Sequence, residues 1–134
     1  TNECIEKYGP ARGSVIQELA NKVMDFLPIS AVIDGNVFCA HGGIPHESLD
    51  LQHVRKLPLP MPNPFLYPIA WEILWSDPVT QEEFLQMCCA HTLDPDKQEG
   101  FIRNFKRDAG YVFNEEGVDA FFNKNNLTFT LILY

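Results

Sequence analysis

Residues 29–41 hold two β-prone runs, Ile29–Ile33 and Asn36–His41, joined by Asp34-Gly35. An Asp-Gly step between such runs is the strongest short-range signal for a tight hairpin, because its turn residues need positive φ. The hairpin constrains everything after it. Cys39 and His41, two positions apart on the second strand, point the same way. The strand ends on His41, and Gly42-Gly43 follows. Glycine adopts positive φ at little steric cost, so this pair is expected to leave room for a metal or a phosphate. A strand-end His is a candidate ligand; a packed or surface imidazole is the plainer reading of such a residue taken alone.

The other segments read as a mixed α and β pattern. Ser14 with Gln17 forms a candidate capping box for a helix carrying Val15, Ile16, Leu19, Val23, Phe26 and Leu27, ended by Pro28. Ser48–Leu57 predicts a short helix. Pro58, Pro60, Pro62, Pro64 and Pro68 then give five prolines in eleven residues, a stiff extended segment expected to pack on the body of the protein. Ile69–Leu74 predicts another short helix. Thr80 with Glu83 makes a second capping box, for a helix to about His91, and 93–97 is turn-prone. Asn114 caps a further helix through Val118, Phe121 and Phe122, which Asn125-Asn126 ends. Residues 127–134 read as a strand whose apolar edge needs a pairing partner. That strand stops abruptly and the chain opens on Thr1, so both ends are expected to be cuts through a larger domain.

Composition narrows the function classes. The 134 residues suit one compact unit with a core, and the net charge of −8 argues against binding a nucleic-acid backbone. No apolar stretch approaches the ~20 residues of a membrane span, and no signal-peptide pattern opens the chain. Cys4, Cys39, Cys88 and Cys89 lack disulfide-framework spacing, so reduced thiols in an intracellular protein are the expectation. Two chemistries compete with that bland reading. Cys39-x-His41 with Cys88-Cys89-x-His91 has zinc-type ligands, although not the usual paired spacing on turns. Cys39 beside His41 has the elements of a nucleophile and base, but no third group and no oxyanion motif accompanies them.

The order of motifs carries more than any one of them. Phe26-Leu27-Pro28-Ile29, the hairpin, Val37-Phe38-Cys39-Ala40-His41-Gly42-Gly43-Ile44 and Leu74-Trp75-Ser76-Asp77-Pro78 follow in sequence. This resembles the second half of the catalytic domain of PPP-type serine/threonine protein phosphatases, within the calcineurin-like metallophosphoesterases. The likeness is strongest over 26–78 and thins over 79–106. It implies an α/β (α+β) fold, part of a β-sandwich flanked by helices, with residues 1–134 forming a partial catalytic domain.

The resemblance also implies roles. His41 would be a ligand to one of two metal ions of manganese, iron or zinc type. Arg107, followed by Tyr111 and Phe113 at the family's spacing, would be the phosphate-binding arginine. Phe105-Lys106 and Asp108 depart from the family pattern there. Trp75 and Asp77 would lie near the rim of the substrate groove, Trp75 in a packing role. The family's aspartate-x-histidine-glycine, aspartate-x-valine-aspartate-arginine-glycine and glycine-asparagine-histidine-glutamate motifs are absent from this sequence, and with them the general acid. Its arginine-alanine-histidine triplet is replaced by Ile132-Leu133-Tyr134. One imidazole cannot hold two metal ions, so the chain by itself is expected to be inactive. The complete enzyme would hydrolyse phosphoserine or phosphothreonine in cytoplasmic or nuclear phosphoproteins and bind regulatory subunits. It would bind neither nucleic acid nor membrane, while exposed sheet edges would favour self-association. The alternative is an inactive, phosphatase-like binding module.

Overall fold

The computed structural model describes residues 2–132. The chain divides into two compact units, one built from 2–28 with 58–64 and the other from 29–57 with 65–132. In the first, α1 (Asn2–Tyr8) leads through Gly9 into α2 (Pro10–Met24). The helix α1 has no counterpart in the sequence reading, and α2 starts four residues before the expected Ser14 cap. Gly9, with φ +78°, makes the corner and Pro10 occupies the first turn, where its missing N–H costs nothing. Ser14 is therefore inside the helix, where its hydroxyl donates back to Pro10 O at 2.8 Å. Gly13 is buried because α1 lies directly on it: a Cβ there would meet the Cys4 carbonyl oxygen. Pro58, Pro60, Pro62 and Pro64 belong to this unit, while Pro68 opens α4 of the other; Met61 is buried and its N–H donates to Asp25 O at 2.7 Å.

In the second unit β1 (Ser30–Ile33) and β2 (Val37–Ala40) form the expected antiparallel hairpin, Ser30 opposite Ala40. Asp34 and Gly35 have φ +50° and +67°, and Asn36 N donates to Ile33 O at 3.0 Å, the geometry of a type I′ turn. The strand β6 (Phe129–Ile132) lies parallel to β2, Val37 opposite Phe129, completing a sheet in the order β1-β2-β6. The rest of the 127–134 strand, Leu133 and Tyr134, falls outside the described residues, as does Thr1. Phe38 and Ala40 face inward, so Cys39 faces the other way.

Between these strands run α3 (Leu51–Val54), capped by the Asp50 side chain, and α4 (Pro68–Trp75). The helix α5 (Gln81–Ala90) carries the full Thr80–Glu83 capping box, and α6 (Glu115–Asn125) is capped by Asn114 and ends at Asn126 with φ +54°. The second sheet has no counterpart among the expected strands. In it, β3 (Asp77–Pro78) runs parallel to β5 (Tyr111–Phe113), which pairs antiparallel with β4 (Phe101–Arg103). Phe101 and Phe113 point into one core with Phe38, Ile44, Ile73 and Phe121. Ile102 and Val112 point into another with Phe84 and Cys88. Phe121 meets Phe38 edge-on at 5.0 Å. The fold is a mixed α/β arrangement of small sheets and helices, and it sets the loop after β2 beside the start of β3.

Candidate functional site

His41 lies one residue past β2 with its side chain exposed. The loop after it is held to α4: the N–H groups of Gly42 and Gly43 donate to Ile73 O at 3.1 and 3.0 Å, and Glu47 N donates to Glu72 Oε2 at 2.8 Å. The two glycines have a different purpose from the expected one. Neither is among the residues with positive φ. A Cβ on Gly42 would lie 2.6 Å from the Leu74 carbonyl carbon, and one on Gly43 would strike the Phe113 ring and approach Ser76 O at 3.0 Å. They are small because protein backbone and a ring occupy that space, so no room is left there for a ligand.

Arg107 lies in the turn between β4 and β5. Three contacts with two side chains build its setting. Asn104, only 2% exposed, accepts the Arg107 backbone N–H at 3.2 Å through Oδ1 and donates from Nδ2 to Asp77 Oδ2 at 2.8 Å. The same Asp77 oxygen accepts from Arg107 Nε at 2.8 Å. The Arg107 side chain is 49% exposed, and neither of its Nη atoms has an ion pair or hydrogen bond among the described residues. Asp77 owes its place to the parallel pairing of β3 with Val112, so two segments thirty residues apart in sequence must meet before the cluster exists. The family resemblance pointed to Arg107 and to Asp77, but not to their pairing.

The cluster opens on a groove of about 830 Å³ lined by Asp77, Asn104, Lys106 and Arg107 on one side and by Glu83, Gln86 and Met87 of α5 on the other. Its wall carries two cations, Lys106 and Arg107, and two carboxylates, Asp77 and Glu83. An arginine tethered through Nε presents its remaining N–H donors as a fork, the geometry that grips a phosphoryl group. Gly43 lies against Ser76 O and Arg107 pairs with Asp77, so the His41 loop and Arg107 both meet one short segment.

The competing chemistries lose their geometry. Cys88 is buried in the second core, where burial pushes its thiol above the usual range, while Cys89 is exposed. His91 stacks on Phe105 at 3.9 Å. Among the described residues no three His, Cys, Asp or Glu side chains converge as a metal-binding group, so Cys39, His41, Cys88, Cys89 and His91 form no zinc site. Cys39 makes no hydrogen bond to His41, which removes the nucleophile–base pair. The Trp75 ring lies 5.3 Å from that of Trp71 and is itself partly exposed.

The whole of residues 1–134 matches the model of the calcineurin-like phosphoesterase family, and the chain belongs to that family. Among solved structures it is similar to a protein serine/threonine phosphatase from Saccharomyces cerevisiae, described as having similarity to human phosphatase PP5. The TM-score is 0.67 at 21% identity, over 96% of this chain and 33% of that one. At that identity the likeness shows the fold, and this chain spans about a third of the length of the yeast protein.

Metallophosphoesterases use divalent metal ions, and the residues here can be tested against that need. The His41 imidazole is exposed and of the right type, but the described residues bring no further His, Cys, Asp or Glu into a ligand set with it. They do not by themselves fit a two-metal centre. No helix among them is long and apolar enough to cross a membrane.

Proposed function

We propose that this chain is a segment of a serine/threonine protein phosphatase, in which the complete enzyme hydrolyses phosphoserine and phosphothreonine. Arg107 contacts the phosphate, His41 supplies one metal ligand, and the remaining ligands and the general acid come from elsewhere in the enzyme. Bound metal ions supply an activated water in such hydrolases. The observation that carries the reading is Arg107 at the wall of the groove, held to Asp77 through Nε while neither Nη atom is bonded among the described residues. On this reading the isolated chain turns nothing over, and the partners of the whole enzyme are phosphoproteins and regulatory subunits in the cytoplasm or nucleus.

The test has two parts. A phosphoserine peptide titrated into the chain should bind, and Arg107→Ala should weaken that binding about tenfold or more. Phosphate release with manganese should stay at background for the chain alone. It should appear when the chain is co-expressed with a segment bearing the family's other metal-ligand motifs, and His41→Ala should abolish it. Equal binding by Arg107→Ala, or release that survives His41→Ala, would sink the assignment. The exposed Phe65, Leu66 and Trp75 favour a second reading, an inactive binding module. That reading expects no release in the co-expressed pair either.

A further inference from the structure

Glu72 is a buried acid that neither the groove nor the His41 loop accounts for fully. It lies on α4 at 6% exposure and accepts from the backbone N–H groups of Glu47, at 2.8 Å, and His46. No lysine, arginine or histidine side chain pairs with it among the described residues. Burial pushes its carboxyl above the ordinary glutamate value, and the nearby charge of Glu47 adds to the rise. A desolvated carboxylate without a cation is costly, and proteins seldom keep one unless something compensates it.

The surroundings indicate what could. Glu72 lines a pocket of about 360 Å³ with Phe65, Trp71 and Tyr111, and Arg103 and Asp108 also contribute to its lining. Those last two neutralise each other through an ion pair of 2.7 Å. Phe65 meets Trp71 edge-on at 5.1 Å, and Tyr111 stacks on His46 at 4.3 Å, which fixes the rings in place. Aromatic faces around a buried carboxylate attract a cation both through the ring quadrupoles and through the acid.

We propose that this pocket binds the ammonium head of a lysine side chain presented by a peptide or protein partner. An ammonium suits it better than a guanidinium. The backbone N–H groups of Glu47 and His46 already take up part of Glu72's accepting capacity, and at 6% exposure the carboxylate is reached more readily by a compact charge than by a planar fork that needs both oxygens open. The apolar stem of lysine would lie along the rings. The assignment rests on this pocket alone and holds whether or not the chain acts on phosphate.

The experiment follows the amide and indole signals of the isotope-labelled chain. The probes are a capped Gly-Gly-Lys-Gly-Gly peptide, its norleucine twin and its arginine twin. The lysine peptide should shift the Trp71 indole and the Glu47 amide and bind about tenfold or more tighter than the norleucine peptide. Glu72→Gln, which keeps an acceptor for Glu47, and Trp71→Leu should each weaken lysine binding several-fold. Equal binding of the lysine and norleucine peptides, or no binding by either, overturns the proposal. So do shifts spread over the acidic surface and unchanged in both variants, and tighter binding of the arginine peptide overturns the choice of ammonium.

Discussion

Asp77 and Arg107 form one ion pair, yet removing one partner should cost far more than removing the other. Asp77→Ala deletes the acceptor that Asn104 Nδ2 has among the described residues, and Asn104 is 2% exposed, so its amide loses a largely buried bond. A buried donor left without a partner costs about 1–3 kcal/mol. The ion pair itself adds at most about 1 kcal/mol, because Arg107 is half in solvent. Asp77→Ala should therefore lower stability by about 2–3 kcal/mol, and Arg107→Ala by about 1 kcal/mol or less. In urea, with a slope of about 1–3 kcal/mol/M, the first shifts the midpoint by about 1 M and the second by a fraction of that. Raising the salt concentration should shrink the Arg107→Ala effect and leave most of the Asp77→Ala effect in place. Equal losses from the two variants would refute the reasoning, since Asp77 would then matter only through its charge. The asymmetry bears on function: an arginine whose tether contributes so little can exchange it for a phosphoryl oxygen at small cost.

Three further outcomes follow from the same structure. Burial holds the Glu72 carboxyl above its ordinary 4.5, so the folded chain binds a proton that the unfolded chain releases, and Glu72 makes stability fall as pH rises through that window. Glu72→Gln should therefore exceed the wild type in stability at pH 7, with the gap closing below 4.5 in denaturation series; a gap independent of pH contradicts this. Gly43→Ala drives a methyl into the Phe113 ring and should cost about 1–3 kcal/mol. Gly35→Ala meets nothing within 4 Å and should cost about 1–2 kcal/mol through its positive φ alone, so only Gly43→Ala should disturb the Phe113 ring signals. A double-mutant cycle on Phe38 and Phe121, each changed to Leu, should return a coupling of about 0.5–1.5 kcal/mol, and zero coupling would show that their edge-on contact contributes only area.

The parts of this fold that sequence exposes are those written in neighbouring residues. Asp34-Gly35 specified a turn, Thr80 with Glu83 a capping box, and Asn114 a helix start, because each device closes within four positions. The second sheet left no such trace. Its strands are two or three residues long, and β4 and β5 bury both faces, Phe101 and Phe113 in one core and Ile102 and Val112 in the other. A strand covered on both sides has no polar–apolar alternation to read. The start of α2 was misplaced for another reason: Ser14 and Gln17 satisfy the capping pattern, but Gly9-Pro10 had already turned the chain.

Gly42-Gly43 shows where such reading stops. A pair of glycines after a strand-end histidine is the same string whether the vacant Cβ space belongs to a ligand or to the protein itself. Here Leu74 and Phe113 fill it, and they lie about thirty and seventy positions further along the chain. Nothing local to residues 41–43 encodes that. The loop is tied down on the Ile73 carbonyl and the Phe113 ring lies against Gly43, while His41 itself is exposed. Arg107 meets the neighbouring segment through Asp77, so the Ser76–Asp77 step is the backbone that relates the two. Its position depends on the Tyr111 N–H donating to Ser76 Oγ at 3.2 Å and on the pairing of β3 with β5, neither of which a linear reading of the chain contains.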